Sequence, residues 1–199
     1  MMPEGGYSVV LADPPWAYRV WSKQGAGRSA ESHYPTMRLE EICALPVGDI
    51  TAKDSALFMW ATFPNLPDAF KVIEAWGFRY ATVAFCWVKR NKKSPGFFVG
   101  MGHWTRANAE ICLLATKGHP KRVSKSVRQI IDTPIERHSQ KPDEARQRIV
   151  ELMGDVPRIE LFARERADGW DAWGNEVDTD IILKEDTFHG IYEPTAGAH

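Results

Sequence analysis

Early in the chain a carboxylate, two prolines and an indole follow one another and could bind and activate a ligand: Asp13, Pro14, Pro15 and Trp16. They directly follow residues 9–12 (VVLA), which have the continuous apolarity of a strand covered on both faces. Proline cannot donate a ladder hydrogen bond, so the paired prolines end the strand and stiffen the turn that follows. The sequence therefore predicts a rigid turn at the carboxyl end of a buried strand, which is where open α/β sheets bind ligands.

The chemistry of this turn favours a flat aromatic amine as its ligand. The carboxylate of Asp13 and the backbone carbonyl of Pro14 can each accept one N–H of an amino group, and Trp16 offers a stacking face. The amino nitrogen of adenine is a poor nucleophile, and two acceptors would localise its lone pair and aim it at an electrophile. We expect stacking on Trp16 to contribute roughly 1–3 kcal/mol, comparable with the cost of unstacking a base. The alternative is that Asp13 caps a turn and Trp16 fills the core.

Alternating strands and helices must position this turn. The predicted strands cover residues 9–12, 55–61, 81–88, 110–116 and 158–162, and the predicted helices cover residues 38–44, 65–76 and 142–153. Such alternation indicates an α/β fold with a parallel or mixed sheet and helices on both faces. No Gly-x-Gly-x-x-Gly follows the first strand, so any cofactor signature must lie elsewhere in the chain.

Length and composition predict one compact domain. The chain has 199 residues, of which 44% are hydrophobic, and a formal net charge of -1. We expect one domain over residues 1–199, with its core at residues 7–177 and with residues 178–199 as a peripheral acidic tail. Cys43, Cys86 and Cys112 lack zinc or disulfide spacing, so we expect no metal and a cytoplasmic location. No apolar run approaches membrane-spanning length, so we expect no membrane partner.

The tetrad at residues 13–16 resembles the catalytic motif of the DPPW-type adenine-N6 methyltransferases, the family of the eukaryotic mRNA adenosine methyltransferases and of short bacterial and phage DNA-modification enzymes. The likeness runs over about residues 7–177 in a fixed order. The further matching segments are residues 33–37 (HYPTM), 57–60 (LFMW), 75–78 (AWGF), 87–89 (WVK), 100–102 (GMG), 138–144 (HSQKPDE), 159–164 (IELFAR) and 174–176 (GNE). The resemblance implies a single Rossmann-like methyltransferase domain with a mostly parallel sheet and a permuted motif order. In that order the catalytic strand comes first and the strand that binds S-adenosylmethionine comes last.

The resemblance also implies which residues bind S-adenosylmethionine. It assigns Lys141 to the methionine carboxylate, Arg164 and Asn175 to the ribose, and Glu176 to the adenosine neighbourhood. The carboxylate and guanidinium at the end of the last strand suit the hydroxyls and polar edge of this cofactor. The full expected set is Asp13, Lys141, Glu160, Leu161, Phe162, Arg164, Asn175 and Glu176. The alternatives are that Lys141 is a solvated residue at a helix start and that Glu160 is a surface strand residue.

The segment after the third predicted strand is expected to contact the substrate. Gly100, Gly102, His103 and Trp104 indicate a flexible substrate loop, since two glycines alone are a weak phosphate-loop signal. Arg106, Asn108 and Glu110 follow at a spacing of two, so they share one side and can line a pocket near the adenine. The alternative is a hairpin-like connection whose Trp104 covers the core.

Two basic clusters flank this loop in the sequence, and the second includes Lys121, Arg122 and Lys125. Lysine and arginine around a pocket can contact phosphates, although a charge run can equally be a solvated face. Tyr34 belongs to a Gly- and Ser-rich segment that we interpret as a lid over the catalytic turn. Its side chain is expected to contact substrate or cofactor, and the alternative is that it is a packed aromatic residue.

These interpretations predict an S-adenosylmethionine-dependent methyltransferase acting on the N6 amino group of adenine in nucleic acid, with DNA favoured over RNA. The alternatives are an RNA adenine-N6 methyltransferase and a catalytically silent nucleic-acid-binding subunit of the same fold. No second domain for target recognition is visible, so we expect sequence preference to come from loops, from a specificity partner or from a second copy in a homodimer.

Overall fold

A central sheet positions the site. The computed structural model describes residues 2–17, 36–102, 104–136 and 140–183. Within these ranges the strands are β1 (Tyr7–Ala12), β2 (Thr51–Ala61), β3 (Arg79–Arg90), β4 (Glu110–Lys117), β5 (Ile130–Pro134), β6 (Arg158–Leu161) and β7 (Asp171–Trp173). They form one seven-stranded sheet in the order β5-β3-β4-β2-β1-β6-β7.

Every described strand except β4 runs in the same direction. β1 is parallel to β2 and β6, β6 to β7, and β3 to β5, whereas β4 is antiparallel to both β2 and β3. The predicted α/β fold with a mostly parallel sheet is therefore confirmed. We call the edge where the parallel strands end the carboxyl edge and the opposite one the amino edge. β4 begins at the carboxyl edge, where Ile111 pairs with Ala61, and ends at the amino edge, where Lys117 pairs with Ser55.

Helices cover both faces of the sheet, as predicted. They are α1 (Leu39–Ala44), α2 (Val47–Ile50), α3 (Leu66–Ala75) and α4 (Asp143–Met153), with a 3-10 turn at Phe63–Asn65. The apolar side chains of α1, α2 and α3 join one core with alternate residues of β1, and those of α4 join a second core with the other residues of β1. Because β1 is buried on both faces, its sequence is continuously apolar rather than alternating.

Glycine ends both long helices. Gly77 follows α3 with φ +80° and Gly154 follows α4 with φ +83°, a backbone region that other residues rarely adopt. These stops explain why the predicted bounds of both helices lie close to the observed ones. None of the described helices combines the length and the apolar composition needed to cross a bilayer.

The chain beyond β7 packs against the body of the protein over its described part. Ile181 and Leu183 are buried in the same core as α1 and α3, and Asp180 accepts a hydrogen bond of 2.8 Å from the backbone N–H of Ala172. From the sequence, residues 178–199 are expected to form a peripheral tail. This expectation does not hold for Ile181 and Leu183, whose apolar side chains complete the core.

Candidate active site

The turn after β1 is held rigidly by backbone hydrogen bonds. The N–H of Trp16 donates to the carbonyl of Pro14 at 2.8 Å, and the N–H of Met37 donates to the carbonyl of Pro15 at 3.0 Å. The prolines fix their own φ angles, so the turn has few conformations left to it. One lone pair of the Pro14 carbonyl is used within the turn, and the second can still accept a ligand N–H.

Trp16 supports this turn from the core. Its indole is 7% exposed, and Nε1 donates to the carbonyl of Trp60 in β2 at 3.2 Å. The sequence predicts that Trp16 offers a stacking face to a base. The structure instead buries the ring, because the core between β1, β2 and α1 takes its apolar surface and Trp60 satisfies its only donor. The indole therefore anchors Asp13, Pro14 and Pro15 in place.

A chain of alternating charges lies at the carboxyl edge beside this turn. Nζ of Lys141 donates to Oδ2 of Asp13 at 2.7 Å and lies 3.3 Å from Oε2 of Glu110. The other carboxylate oxygen of Glu110 accepts from Lys89 at the end of β3. These four side chains come from the ends of β1 and β3, the start of β4 and the residue before the α4 cap. We call Asp13, Lys141, Glu110 and Lys89 the charge chain.

Burial and pairing shift the ionisation of the charge chain. Burial raises the pKa of Asp13 above its ordinary value, and the ammonium of Lys141 offsets this rise only in part. Burial opposes the charge of Glu110, but Lys141 and Lys89 outweigh it and lower the pKa of Glu110 to about 2. Burial alone would lower the pKa of Lys141, yet Asp13 and Glu110 raise it above its ordinary value. Lys141 and Glu110 are therefore charged at neutral pH, and Asp13 takes a proton more readily than Glu110, the other carboxylate of the charge chain.

The end of β6 forms the neighbouring part of the site. β6 pairs with β1 so that Leu161 lies beside Ala12, which brings two sequence motifs from opposite ends of the chain together. Glu160 is held by Arg146 of α4, whose Nε donates at 2.7 Å and Nη2 at 3.3 Å. Burial raises the pKa of Glu160, and Arg146 offsets this rise only in part. No motif in the sequence predicts this role of Arg146.

The backbone after β6 adopts an unusual conformation. Phe162 has φ +61°, and it has the single positive φ among the described residues other than glycine. Such strain in an aromatic residue costs roughly 1–3 kcal/mol and concentrates at ligand sites. Its ring packs edge-on against Trp173 of β7 at 5.4 Å between centroids. This conformation turns the chain sharply where the last parallel strands end.

The ends of β6 and β7 lie very close together. The N–H of Ala163 donates to the carbonyl of Trp173 at 3.0 Å, and a Cβ at Gly174 would lie 2.1 Å from the carbonyl oxygen of Ala163. Only glycine fits at position 174. Next to this contact, Nε of Arg164 donates to Oε1 of Glu176 at 2.9 Å.

These residues fit the cofactor that the resemblance implies. The site offers an ammonium for a carboxylate, half-buried carboxylates for hydroxyl groups, and a strained backbone at Phe162 where β6 ends. The structure brings Lys141 into contact with Asp13, and the pairing of β1 with β6 places Asp13 beside the end of β6. Asn175 lies directly after the Gly174 contact and is half-buried.

The predicted substrate loop is a tight hairpin at the carboxyl edge. The N–H of Gly100 donates to the carbonyl of Ala107 at 2.7 Å, and Cβ atoms at Gly100 and Gly102 would collide with the carbonyl oxygens of Ala107 and Thr105. Trp104 at the tip is 93% exposed. Its side chain does not cover the core, so the alternative interpretation of Trp104 is wrong.

Asn108 has a structural position rather than a pocket-lining one. Its Oδ1 accepts from the N–H of Lys89 at 3.0 Å, and its Nδ2 donates to the carbonyls of Lys89 and Phe98. The amide thus clamps the hairpin to the end of β3 and has little hydrogen-bonding capacity left for a base. The prediction that Asn108 lines a pocket near the adenine is corrected accordingly. Arg106 is exposed, and Glu110 belongs to the charge chain.

The second basic cluster lies away from the turn. Because β4 is antiparallel, the residues after it leave at the amino edge, where the N–H of Val123 donates to the carbonyl of Leu152 near the end of α4 at 2.8 Å. Lys121, Arg122 and Lys125 are exposed there. The prediction that these three residues bind substrate beside the catalytic turn therefore does not agree with the structure. Tyr34 and His103 lie outside the described residues.

Comparison with known proteins identifies the family. The family model described as MT-A70 matches residues 7–176. The chain is 36% identical over 193 residues to the type II methyltransferase M.MunI of Mycoplasma sp, covering 88% of this chain and 80% of that protein. It is 29% identical over 184 residues to an N(6)-adenosine-methyltransferase MT-A70-like protein of Arabidopsis thaliana, covering 91% of this chain and 25% of that protein.

A human relative gives the same result. The chain is 28% identical over 186 residues to the N(6)-adenosine-methyltransferase catalytic subunit METTL3 of Homo sapiens, covering 92% of this chain and 30% of that protein. The chain thus spans less than a third of the length of these two eukaryotic relatives. The resemblance seen in the sequence is confirmed over nearly all of the described residues, and the chain belongs to the MT-A70 family.

Proposed function

We propose that this protein is an S-adenosylmethionine-dependent methyltransferase that modifies the exocyclic N6 amino group of adenine in nucleic acid. The observation that carries the proposal is the 2.7 Å contact between Asp13 and Lys141. It joins the acceptor proposed for the adenine amino group to the ammonium proposed for the cofactor carboxylate. Asp13 follows β1, whose carboxyl end adjoins that of β6, and Lys141 directly precedes the cap of α4. DNA is favoured over RNA, because the likeness to the type II methyltransferase extends over 80% of that protein.

The turn after β1 orients the nucleophile. Oδ of Asp13 and the second lone pair of the Pro14 carbonyl each accept one N–H of the adenine amino group, which fixes its nitrogen in one direction. Trp16 keeps both acceptors in place from the core. S-Adenosylmethionine, when bound, supplies a methyl group activated by a sulfonium. The amino group becomes acidic as it is alkylated, so no strong base is required.

Asp13 is suited to receive the proton that is then lost. Its raised pKa makes the carboxylate a better proton acceptor than an ordinary exposed aspartate. Glu110 stays negatively charged at neutral pH because its pKa is about 2. Glu110 therefore holds Lys141 in position rather than competing for the proton.

The residues around β6 and β7 would hold the cofactor. Lys141 remains charged and can bind a carboxylate, and Glu160, held by Arg146, can accept hydrogen bonds from hydroxyl groups. The proposed set also contains Leu161, Phe162, Arg164, Asn175 and Glu176. The Ala163–Gly174 contact gives these side chains a fixed backbone to project from.

Incubation of the purified protein with methyl-labelled S-adenosylmethionine and separate DNA and RNA pools tests the proposal. We expect label in DNA, on the N6 nitrogen of adenine after enzymatic hydrolysis. Label found only in RNA would support the RNA alternative. Absence of label in either pool together with absence of heat in a calorimetric titration with S-adenosylmethionine would contradict the enzyme and support a silent nucleic-acid-binding subunit.

A second experiment, carried out in cells, can identify the nucleotide sequence around the methylated adenine. Expression in a host without adenine methylation, followed by modification-aware sequencing of a plasmid, is expected to reveal methylated adenines in one recurring context. Randomly distributed or absent methylation would argue against a site-specific enzyme.

A further inference from the structure

Helix α4 places two cations on two neighbouring strand ends. Lys141, just before the cap of α4, contacts Asp13 after β1. Arg146, within α4, contacts Glu160 in β6. The two carboxylates are close to each other because β1 pairs with β6. The resemblance assigns Lys141 to the cofactor and gives no role to Arg146, although Arg146 is held against a proposed cofactor residue in the same way.

Arg146 and Glu160 form a two-point contact. Nε of Arg146 donates to Oε2 of Glu160 at 2.7 Å, and Nη2 donates to Oε1 at 3.3 Å. The two side chains are 16% and 14% exposed, so solvent screens their attraction only weakly. An ionised carboxylate has about four lone-pair sites, and Arg146 occupies one on each oxygen. The contact thus leaves room on each oxygen for one further donor, as a pair of neighbouring hydroxyl groups requires.

The guanidinium of Arg146 is surrounded by carboxylates. Its Nη1 pairs with Asp143 at the start of α4 and lies 3.6 Å from Oε1 of Glu165. Since Nε and Nη2 contact Glu160, all three guanidinium nitrogens face acidic partners. Arg146 therefore acts on a ligand through Glu160 and is a positioning residue, not a ligand-binding one.

The surroundings of Glu160 oppose its negative charge. Burial raises the pKa of Glu160, and the hydrogen bonds and charge of Arg146 oppose this rise. The nearby carboxylates of Asp13 and Glu165 raise the pKa further. The residues that the adjoining strands β1 and β7 pair with Glu160 are apolar: Leu11 and Ala172. The ionised state of Glu160 thus depends on the guanidinium that α4 supplies.

Protonation of Glu160 would change what this side chain can bind. An ionised carboxylate accepts hydrogen bonds on both oxygens, whereas protonation converts one oxygen into a donor. Hydrogen bonds to a charged acceptor are also roughly twice as strong as those between neutral groups. A pair of hydroxyl groups is therefore held well only by the ionised form.

We propose that Arg146 is a positioning residue for the cofactor, which holds Glu160 oriented and ionised so that cofactor affinity stays constant around neutral pH. This inference rests on the proposed function. It adds to that function a residue of α4 that controls the site through the protonation state of another side chain.

Calorimetric titration with S-adenosylhomocysteine, which lacks the transferable methyl group, tests the proposal without turnover. We expect Arg146→Met to weaken binding roughly tenfold at neutral pH, the difference between a charged and a neutral acceptor. The loss should grow as the pH is lowered, because removal of the cation raises the pKa of Glu160 and affinity is lost as the pH falls through that pKa. Arg146→Lys keeps a cation and should recover most of the affinity.

The matched control is Arg148→Met in the same helix. The side chain of Arg148 is also 16% exposed, but it contacts Glu144 and donates to the backbone carbonyl of Ile130. Arg148→Met should lose stability and keep the pH profile of wild-type affinity. A double variant, Arg146→Met with Glu160→Gln, should bind no more weakly than Glu160→Gln alone, because both changes remove the same charged acceptor.

A spectroscopic titration measures the protonation of Glu160 directly. In protein labelled with carbon-13 at the glutamate carboxyl groups, the Glu160 resonance is the one missing from Glu160→Gln. Its titration midpoint should lie at higher pH in Arg146→Met than in wild type, and Arg148→Met should leave it unchanged. If Arg146→Met does not fold, Arg146→Lys provides the same test. Lysine cannot make the two-point contact, so the midpoint should again lie above that of wild type, by a smaller amount.

The outcomes separate this inference from the proposed function. Binding of S-adenosylhomocysteine with the same pH profile in wild type and Arg146→Met would leave the enzyme standing and overturn the role of Arg146. An unchanged Glu160 midpoint, or a loss of affinity that is equal at every pH, would also overturn it. Absence of heat in wild type as well as in every variant would instead remove the enzyme, and with it the cofactor role of Arg146.

Discussion

The two edges of the sheet carry similar side chains in different arrangements. At the carboxyl edge, Asp13, Lys141, Glu110 and Lys89 pair with one another and are mostly shielded from solvent, with exposed fractions between 15% and 29%. At the amino edge, Lys117 donates to the carbonyl of Gly48 at 2.9 Å and to Oγ1 of Thr51 at 3.1 Å, so its ammonium mainly satisfies a helix end.

This contrast separates a ligand site from polar groups that only support the fold. Asp54 at the amino edge accepts a hydrogen bond of 2.7 Å from the N–H of His119, which closes the turn after β4. That contact is fully explained by the fold. The charge chain closes no turn, and desolvating several charges costs free energy that folding does not require. Connected, half-buried charges at strand ends therefore indicate function, whereas single contacts to backbone indicate structure.

The largest expected effect comes from removing the acceptor at the turn. Asp13→Ala should lower the rate of methyl transfer roughly a thousandfold, because the adenine amino group loses its charged acceptor. Calorimetry should still detect S-adenosylmethionine binding, since Lys141 and the β6 residues remain. The matched control, Asp54→Ala at the amino edge, should transfer methyl groups like wild type. Retained turnover in Asp13→Ala would remove the mechanism.

Replacing one lysine at each edge by alanine should lower the stability of the protein by different amounts. Lys141→Ala leaves two carboxylates facing each other with no shared counter-charge, and breaking such a buried pair costs about 3–5 kcal/mol of unfolding free energy. Lys117→Ala removes hydrogen bonds from an ammonium to neutral oxygens and should cost about 1.5–3 kcal/mol, less than the loss at Lys141. Urea denaturation at neutral pH measures both values. Equal losses would mean that the charge chain has no special energetic coupling.

The pH dependence of stability isolates Glu110. Its pKa is about 2 in the folded protein and near 4.5 ordinarily, so the ionised group stabilises the fold above about pH 4.5. That stabilisation is lost as the pH falls from about 4.5 through about 2. Glu110→Gln should remove this pH-dependent stabilisation. On acidification, the unfolding free energy of the variant should therefore fall by about 3 kcal/mol less than that of the wild-type protein. Parallel acid curves for the two proteins would contradict the pairing of Glu110 with Lys141 and Lys89.

The smallest expected effect concerns the basic cluster at the amino edge. A triple variant with Lys121→Ala, Arg122→Ala and Lys125→Ala should keep the DNA affinity and salt dependence of wild type. The counterpart at the carboxyl edge is a triple variant with Lys92→Ala, Lys93→Ala and Arg106→Ala. In this variant the slope of log affinity against log salt concentration should be smaller by roughly 1 for each phosphate that it no longer neutralises. A larger reduction from the amino-edge variant would relocate the nucleic-acid surface.

Much of the fold could be predicted because its central elements carry strong periodic signals. β1, β2, β3, β4, β6, α1, α3 and α4 each contain the apolar pattern of a strand or helix and a recognisable stop. β5 and β7 escape prediction. β5 exposes most of its residues and ends in Pro134, and β7 has only three residues, so neither is long enough to show a period.

The members of the site could be named from the sequence, but their partners could not. Asp13, Lys141 and Glu160 are predicted site residues, yet the pairs Asp13–Lys141 and Glu160–Arg146 depend on how strand ends meet in space. The misplaced Lys121 cluster has a single cause. Local sequence does not tell whether β4 runs parallel or antiparallel, and that direction decides at which edge the following residues emerge.

The pairing of β1 with β6 determines when, during synthesis and folding, the proposed active site is assembled. Asp13 and Lys141 stand 128 positions apart in the chain, and the strands beside them are similarly distant. Such non-local pairs close slowly and late in folding. A ribosome that has already delivered the catalytic turn must still synthesise Lys141 and β6 before the turn acquires its neighbours, so a nascent chain stays inert until both have been added.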